Sequence, residues 1–259
     1  MLKALIFDLD GTMAETERDG HRLAFNRAFA EAGLDIEWDE ETYSRLLWVS
    51  GGKERIGYFL RNCPTCPKLL DSQIASLHRR KTEIYTQMVA RGEVVWRPGV
   101  LRLIHEARRA GLLLGIATTT TPDNIVALLE NVDPSLPSWF IVVVSGEMVK
   151  RKKPAPDAYL RVLQGLGVEP GEAVAFEDTQ NGLMAAQAAG IATVITPSYY
   201  SKEHDFSGAL AVVDHLGEPD NPAVVLQGHQ AGESLVVNLD RLRSWLSVRI
   251  NNTDRPSYR

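Results

Sequence analysis

Cysteine is nearly absent. The 259-residue chain has two, both within Cys63-Pro64-Thr65-Cys66. Two cannot build a disulfide framework, nor a structural zinc site by themselves. A redox Cys-x-x-C opens a helix directly after a strand. This pair stands instead in a Pro-rich stretch between two helical patterns, and the expectation is a loop whose thiols carry no chemistry. No apolar run reaches the ~18 residues that cross a bilayer, so no membrane partner is expected. Positive charge is not in excess either: 28 Lys and Arg face 33 Asp and Glu, a net charge of −5. That balance leaves no electrostatic footprint for nucleic acid. The first apolar stretch begins at Leu2, with no room ahead of it for a signal peptide. The expected location is the cytoplasm, or the chloroplast stroma if a transit peptide has been removed. Internal repeats and low-complexity segments are missing too.

What is present is ordinary core material, 44% apolar and 24% charged. It suffices for one large domain or a domain carrying an insert. Five of the six residues before Asp8 are apolar, which reads as a buried parallel strand ending on a carboxylate. Four helical patterns follow, over 15–32, 39–48, 53–62 and 71–91, too many for a simple crossover. Strands and helices then alternate: a helix opened by Pro98 through Arg109, a strand 112–118 and a helix 122–131 capped by Thr121. A strand 140–144, a helix 156–166, a strand 173–177, a helix 178–189 and a strand 192–195 come next. This alternation argues an α/β fold, a doubly wound (Rossmann-like) parallel sheet. Residues 209–213 suggest a further edge strand and 238–248 a last amphipathic helix, with a polar, frayed tail from Asn251. The economical division is a core of 1–14 and 96–259 with a helical cap domain inserted at 15–95.

Polar groups recur at the strand ends. Asp8 and Asp10 close the first strand, Thr118-Thr119-Thr120-Thr121 the second, and Glu177-Asp178 a later one, while Lys150 to Lys153 form a basic cluster. The two acids at the end of the first strand read as an active site by themselves, whereas each of the other three segments alone reads as a cap or a solvated loop. Together, four carboxylates at one sheet edge repel one another unless a divalent cation sits among them, and oxygen-only ligands suit Mg2+. Mg2+ and Lys153 would let a phosphate dianion approach Asp8, which attacks phosphorus to give an aspartyl-phosphate. Asp10 would protonate the leaving oxygen and then take a proton from the hydrolysing water.

Asp8-Leu9-Asp10-Gly11-Thr12, Thr118, Lys153-Pro154-Ala155-Pro156-Asp157 and Glu177-Asp178 resemble the four ordered motifs of the haloacid dehalogenase superfamily of phosphohydrolases. The resemblance implies Asp8 as nucleophile, Asp10 as acid/base, and Thr118 and Lys153 on the transferring phosphoryl group. It places Mg2+ on Asp8, the Asp10 carbonyl and Asp178, with Glu177 as direct or indirect partner. Glu15-Thr16-Glu17 with His21, Ser50 to Arg55, Lys150 to Pro154 and Ser198-Tyr199-Tyr200 resemble the CbbY-type subgroup more narrowly. That likeness implies removal of a phosphate from xylulose-1,5-bisphosphate, a Rubisco inhibitor. Substrate contacts would come from Glu17, His21, Gly52, Lys53, Arg55, Thr119 and Thr120. Arg55 and Lys152 read equally as solvated charges, and Tyr43 as packing. A monomer acting on a small sugar bisphosphate is expected. The rivals are a β-phosphoglucomutase-like mutase, against which Thr12 weighs, a phosphatase for another small sugar phosphate, a non-catalytic phospho-receiver, against which Asp10 weighs, and C–Cl hydrolysis, against which the acids Asp10, Glu177 and Asp178 weigh.

Overall fold

The computed structural model describes residues 1–228 and 230–253, the last five as backbone alone. The frayed tail expected from Asn251 lies, from residue 254 on, outside the described residues.

The sheet is built from the apolar runs. β1 (Ala4–Phe7), β2 (Leu113–Ala117), β3 (Phe140–Val144), β4 (Ala173–Glu177), β5 (Ala192–Ile195) and β6 (Ala211–Val213) are parallel. β7 (Ala223–Gln227) and β8 (Ser234–Leu235) continue it antiparallel, in the order β3-β2-β1-β4-β5-β6-β7-β8. β1 is covered on both faces. Leu5 and Phe7 join one apolar cluster, Ala4 and Ile6 the other, as the two-residue side-chain period requires. β1 lies between β2 and β4, where the winding reverses, and ligands of open α/β sheets bind outside the strand ends at that point.

Between β1 and the return to the sheet run α1 (Arg22–Glu31), α2 (Glu40–Leu46), α3 (Gly52–Asn62) and α4 (Asp71–Ala90). Outgoing and incoming chain meet at an isolated bridge between Ala14 and Trp96. Asp39 caps α2 as its position suggests, its carboxylate accepting from the Thr42 N–H at 2.7 Å. The remaining helices are α5 (Val100–Arg109), α6 (Pro122–Glu130), α7 (Asp157–Leu166), α8 (Gln180–Ala188) and α9 (Leu239–Thr253).

Several expectations change. The helix expected from residue 15 is a wide π-type turn over Glu17–His21 before α1 begins. The turn brings Thr16 and His21 onto one carboxylate, that of Asp10. α5 starts at Val100 rather than Pro98, because Gly99 takes a left-handed conformation (φ +83°) against the backbone of Leu216 and Gly217, where no side chain fits. Thr121 precedes α6 but makes no side-chain cap. The helix expected from Asp178 begins at Gln180, because Thr179 caps it and accepts from the Gly182 N–H at 3.1 Å. β6 is an interior strand, not an edge. Cys63 and Cys66 are joined as a disulfide, and no free cysteine occurs among the described residues. The turn at Pro64-Thr65 brings their Cα atoms to 5.3 Å, within bridging distance.

Candidate active site

Asp8 continues β1 by one residue, its N–H bonded to the Phe176 carbonyl at 3.0 Å, so its neighbour across the ladder is Glu177. Lys153 reaches from the loop before α7 and bonds both: Nζ lies 2.6 Å from Asp8 Oδ1 and 2.5 Å from Glu177 Oε1. The buried Tyr159 hydroxyl donates to the same Glu177 oxygen at 2.7 Å. Burial pushes the Asp8 carboxyl up to about 7, against the pull of Lys153. Lys153 stays firmly protonated: burial opposes its charge, but Asp8 and Glu177 outweigh it.

Asp178 completes a group of three buried carboxylates, with Asp8 and Glu177, whose oxygens lie within 4.8 Å of one another. Lys153 ion-pairs with the first two, and among the described residues no cationic side chain comes within 4.0 Å of Asp178. Burial and the neighbouring Asp8 hold its carboxyl well above the usual range. Three acids against one lysine leave negative charge uncompensated, and the donor set is all oxygen. The residues therefore fit a hard divalent cation. Gly11 (φ +81°) keeps the wall open, since a Cβ there would collide with the Asp178 carboxylate. The Thr12 hydroxyl lies 3.4 Å from Asp8 and 3.5 Å from Asp178.

Asp10 is held differently. Its Oδ1 accepts from the Thr16 hydroxyl at 2.7 Å and faces His21 Nε2 at 2.9 Å. The other imidazole nitrogen, Nδ1, lies 2.8 Å from Lys81 Nζ. An ammonium only donates, so Nδ1 accepts and Nε2 carries the proton given to Asp10. Burial acts to raise the Asp10 carboxyl, but His21, Thr16 and Lys81 outweigh it and bring it to about 2. Burial lowers Lys81 itself to about 8, and burial with Lys81 takes His78 down to about 3.

Two adjoining cavities collect the predicted residues. The smaller, about 200 Å³, is lined by Asp8, Asp10, Glu17, Arg55, Thr118, Thr119, Lys153, Glu177 and Asp178. The larger, about 440 Å³, is lined by Asp10, Glu17, His21, Gly52, Lys53, Arg55, Thr119 and Thr120, with Lys81, His78, Asn124, Lys150 and Lys152. Arg55 is not a solvated charge: it is 7% exposed and donates to the Tyr43 hydroxyl at 2.9 Å. Tyr43 is buried packing and also a contact, its hydroxyl donating to Glu17. Lys53 and Lys152 face Glu147 and Glu54, at 3.4 and 2.6 Å, across the junction of α3 with the loops after β3. Thr118 is buried, its hydroxyl accepting from the Thr120 N–H at 3.3 Å. Arg151 turns outward to Asp157.

Lys81, His78 and Tyr159 escape sequence reasoning. For Lys81 a signal exists: it interrupts the apolar stripe of α4 between Leu77 and Ile84, where a charge is costly unless paired.

The haloacid dehalogenase-like hydrolase family matches residues 2–190. The chain is 45% identical to the plasmid-encoded CbbY of Cupriavidus necator over 251 residues, 94% of this chain and 96% of the relative. It is 49% identical to CbbY of Rhodobacter capsulatus over 209 residues, covering 80% and 91%. Crystal structures of Rhodobacter sphaeroides CbbY are similar in fold. The phosphate complex has a TM-score of 0.79 at 46% identity, covering 83% of this chain and 95% of that one. A mutant in complex with xylulose-(1,5)-bisphosphate has a TM-score of 0.80 at 44% identity, covering 85% and 98%. A β-phosphoglucomutase of Clostridium difficile, at 19% identity and a TM-score of 0.74, shares the fold. The chain belongs to the haloacid dehalogenase-like hydrolases, as a phosphatase of the CbbY type.

Proposed function

We propose that this phosphatase removes a phosphate from a ketose bisphosphate, xylulose-1,5-bisphosphate giving xylulose 5-phosphate, through an aspartyl-phosphate on Asp8. The observation that carries the reading is the pair of adjoining cavities. One holds an anionic nucleophile beside a lysine; the other, sharing Asp10, Glu17, Arg55 and Thr119 with it, adds Lys53, Lys150 and Lys152, cations of the kind a second phosphate needs. The bisphosphate bound by the Rhodobacter sphaeroides relative supports the same substrate.

In this reading Asp8, Asp178 and the Asp10 carbonyl hold Mg2+, with Glu177 behind them. The ion, when bound, supplies positive charge between the nucleophile and the phosphoryl oxygens. Lys153 and Thr118 orient the transferring group while the Asp8 carboxylate attacks phosphorus and the bond to the sugar oxygen breaks. Asp10 is ionised here, the form that takes a proton from the attacking water. A phosphate dianion beside it raises its proton affinity, which lets the same carboxyl first protonate the sugar oxygen. Glu17, held by Tyr43 and Arg55, accepts from sugar hydroxyls. His21, Gly52, Thr119 and Thr120 shape the second cavity. Residues 15–95 act as a cap domain over the core of 1–14 and 96–259 and exclude water from the first half-reaction. The protein acts as a monomer, in the cytoplasm or chloroplast stroma.

A panel of sugar mono- and bisphosphates assayed with Mg2+ tests this, following both inorganic phosphate and sugar isomers. Preferred hydrolysis of pentulose bisphosphates is expected. Isomer formation without phosphate release, or equal use of monophosphates, overturns the substrate reading. Asp10→Asn is expected to lower turnover about 10²- to 10⁴-fold, since the proton donor of the first half-reaction and the base of the second are both lost. Unchanged turnover contradicts its role.

A further inference from the structure

We infer that Arg97 is a positioning residue for the carboxylate site: donating to no acid, it fixes the two backbone segments between which the Asp178 carboxylate sits. The inference rests on the cation-binding reading of Asp8, Glu177 and Asp178.

Arg97 stands where the chain re-enters the sheet, its N–H bonded to the Met13 carbonyl at 2.9 Å. Its guanidinium is spent entirely on main-chain oxygens. Nη1 donates to the Gly11 carbonyl, and at 2.7 Å to that of Thr196. Nη2 donates to Pro197 at 2.9 Å and Asp214 at 2.6 Å. No carboxylate lies within 4.0 Å of it among the described residues. Carbonyls at the ends of β1, β5 and β6 are strong acceptors that the ladders leave open, and one rigid fork satisfies them together.

Two of these segments flank Asp178. Gly11 approaches its carboxylate so closely that no side chain fits between them. The segment 196–197 runs into Ser198, which lines the same cavity as Asp178 and acts to lower its carboxyl against burial. Asp178 is also the acid that most favours the charge on Arg97, against the burial that disfavours it. Arg97 therefore sets the width of the slot around Asp178 from outside the site. Lysine cannot reproduce this, because a single ammonium lacks the planar fork.

Arg102 is a matched comparison. It donates to the carbonyls of Gly217, Leu216 and Val237 at 3.1, 3.2 and 2.7 Å, in segments that carry none of these acids. The experiment titrates Mg2+ alone into the full-length parent, Arg97→Lys, Arg102→Lys and Ser198→Ala by calorimetry, with thermal midpoints, kcat and KM alongside. Arg97→Lys and Ser198→Ala are expected to weaken Mg2+ binding about 10- to 100-fold and to lower kcat with KM little changed. Arg102→Lys is expected to lose thermal stability with Mg2+ affinity intact. Parental affinity in Arg97→Lys, with a midpoint lowered as in Arg102→Lys, makes Arg97 a structural clamp and overturns the inference. If Arg97→Lys does not fold, Ser198→Ala decides it, and parental affinity there overturns it too. A parent that binds no Mg2+ overturns the cation reading itself, a result distinct from either.

Discussion

A buried ammonium bonded to an imidazole nitrogen holds its proton weakly. Lys81 is 3% exposed, lies over the Phe25 and Tyr85 rings, and its proton affinity falls to about 8. Below that pH it is charged, fixes the His21 tautomer and offsets Asp10 and Glu17. Above it the proton leaves, the positive charge is lost, and an anionic substrate meets uncompensated carboxylates. We expect kcat/KM to fall as pH rises through about 8 and the limb to vanish in Lys81→Arg, whose guanidinium stays protonated. A pH profile of both proteins checks this; an identical alkaline limb in the two excludes Lys81 as its source. Lys81 shows why single residues were only partly legible. Asp8 and Glu177 end apolar runs, a signal contained within six residues of chain. The burial of Lys81 depends on Asp10 and Glu17, more than sixty positions away, and only folding joins them.

At the scale of elements, α8 illustrates how a local rule frees a functional group. Had Asp178 capped the helix, its carboxylate would point at backbone N–H groups. Thr179 takes that task, and Asp178 turns to the acid cluster. Gly182, in the first turn of α8, lies so close to the Glu177 carboxylate that a Cβ would occupy its place. Gly182→Ala should displace Glu177 from Lys153 and Tyr159. We expect a loss of about 1–3 kcal/mol in stability, measured by denaturant unfolding, together with weakened Mg2+ binding. A variant as stable as the parent would show that the helix shifts to make room. The π-type turn at Glu17–His21 was not legible, because its cause is the convergence of Thr16 and His21 on Asp10, not any property of the segment.

The whole molecule is closed at its far edge by β7, β8 and α9, of which the sequence suggested only the helix. Ala223, Val225, Leu235, Val237, Leu239, Leu242 and Leu246 belong to the main apolar cluster. Burying a large apolar side chain contributes about 1.5–3 kcal/mol and a whole domain is stable by about 5–15 kcal/mol. A chain ending at residue 221 would also leave the edge of β6 bare. It is expected to be insoluble or to lack a cooperative unfolding transition. Soluble, fully active protein would refute that assignment. Between the helices of residues 15–95 and the rest of the chain, one side is polar, with Lys152–Glu54, Lys53–Glu147 and Ser50 to the Lys153 carbonyl, while on another α4 packs against α6 within the main apolar cluster and Tyr43 meets Tyr200 edge to face. We expect any opening to part the polar contacts and hinge about the apolar ones. Small-angle scattering should contract on adding Mg2+ with a phosphate mimic, and superimposable profiles would count against closure.

Sequence alone determined the α/β class, the place of the acids at strand ends and the family. Those follow from short apolar runs, turn residues and ordered motifs, all of them local. Tertiary structure alone decided that Arg55 and Lys81 are buried, that Cys63 and Cys66 are bonded, and that Arg97 grips four carbonyls. Arg55, Lys81 and Arg97 depend on groups brought together across long stretches of chain, where burial and pairing, not propensity, fix the energy, and the disulfide on the conformation of the turn between its two cysteines.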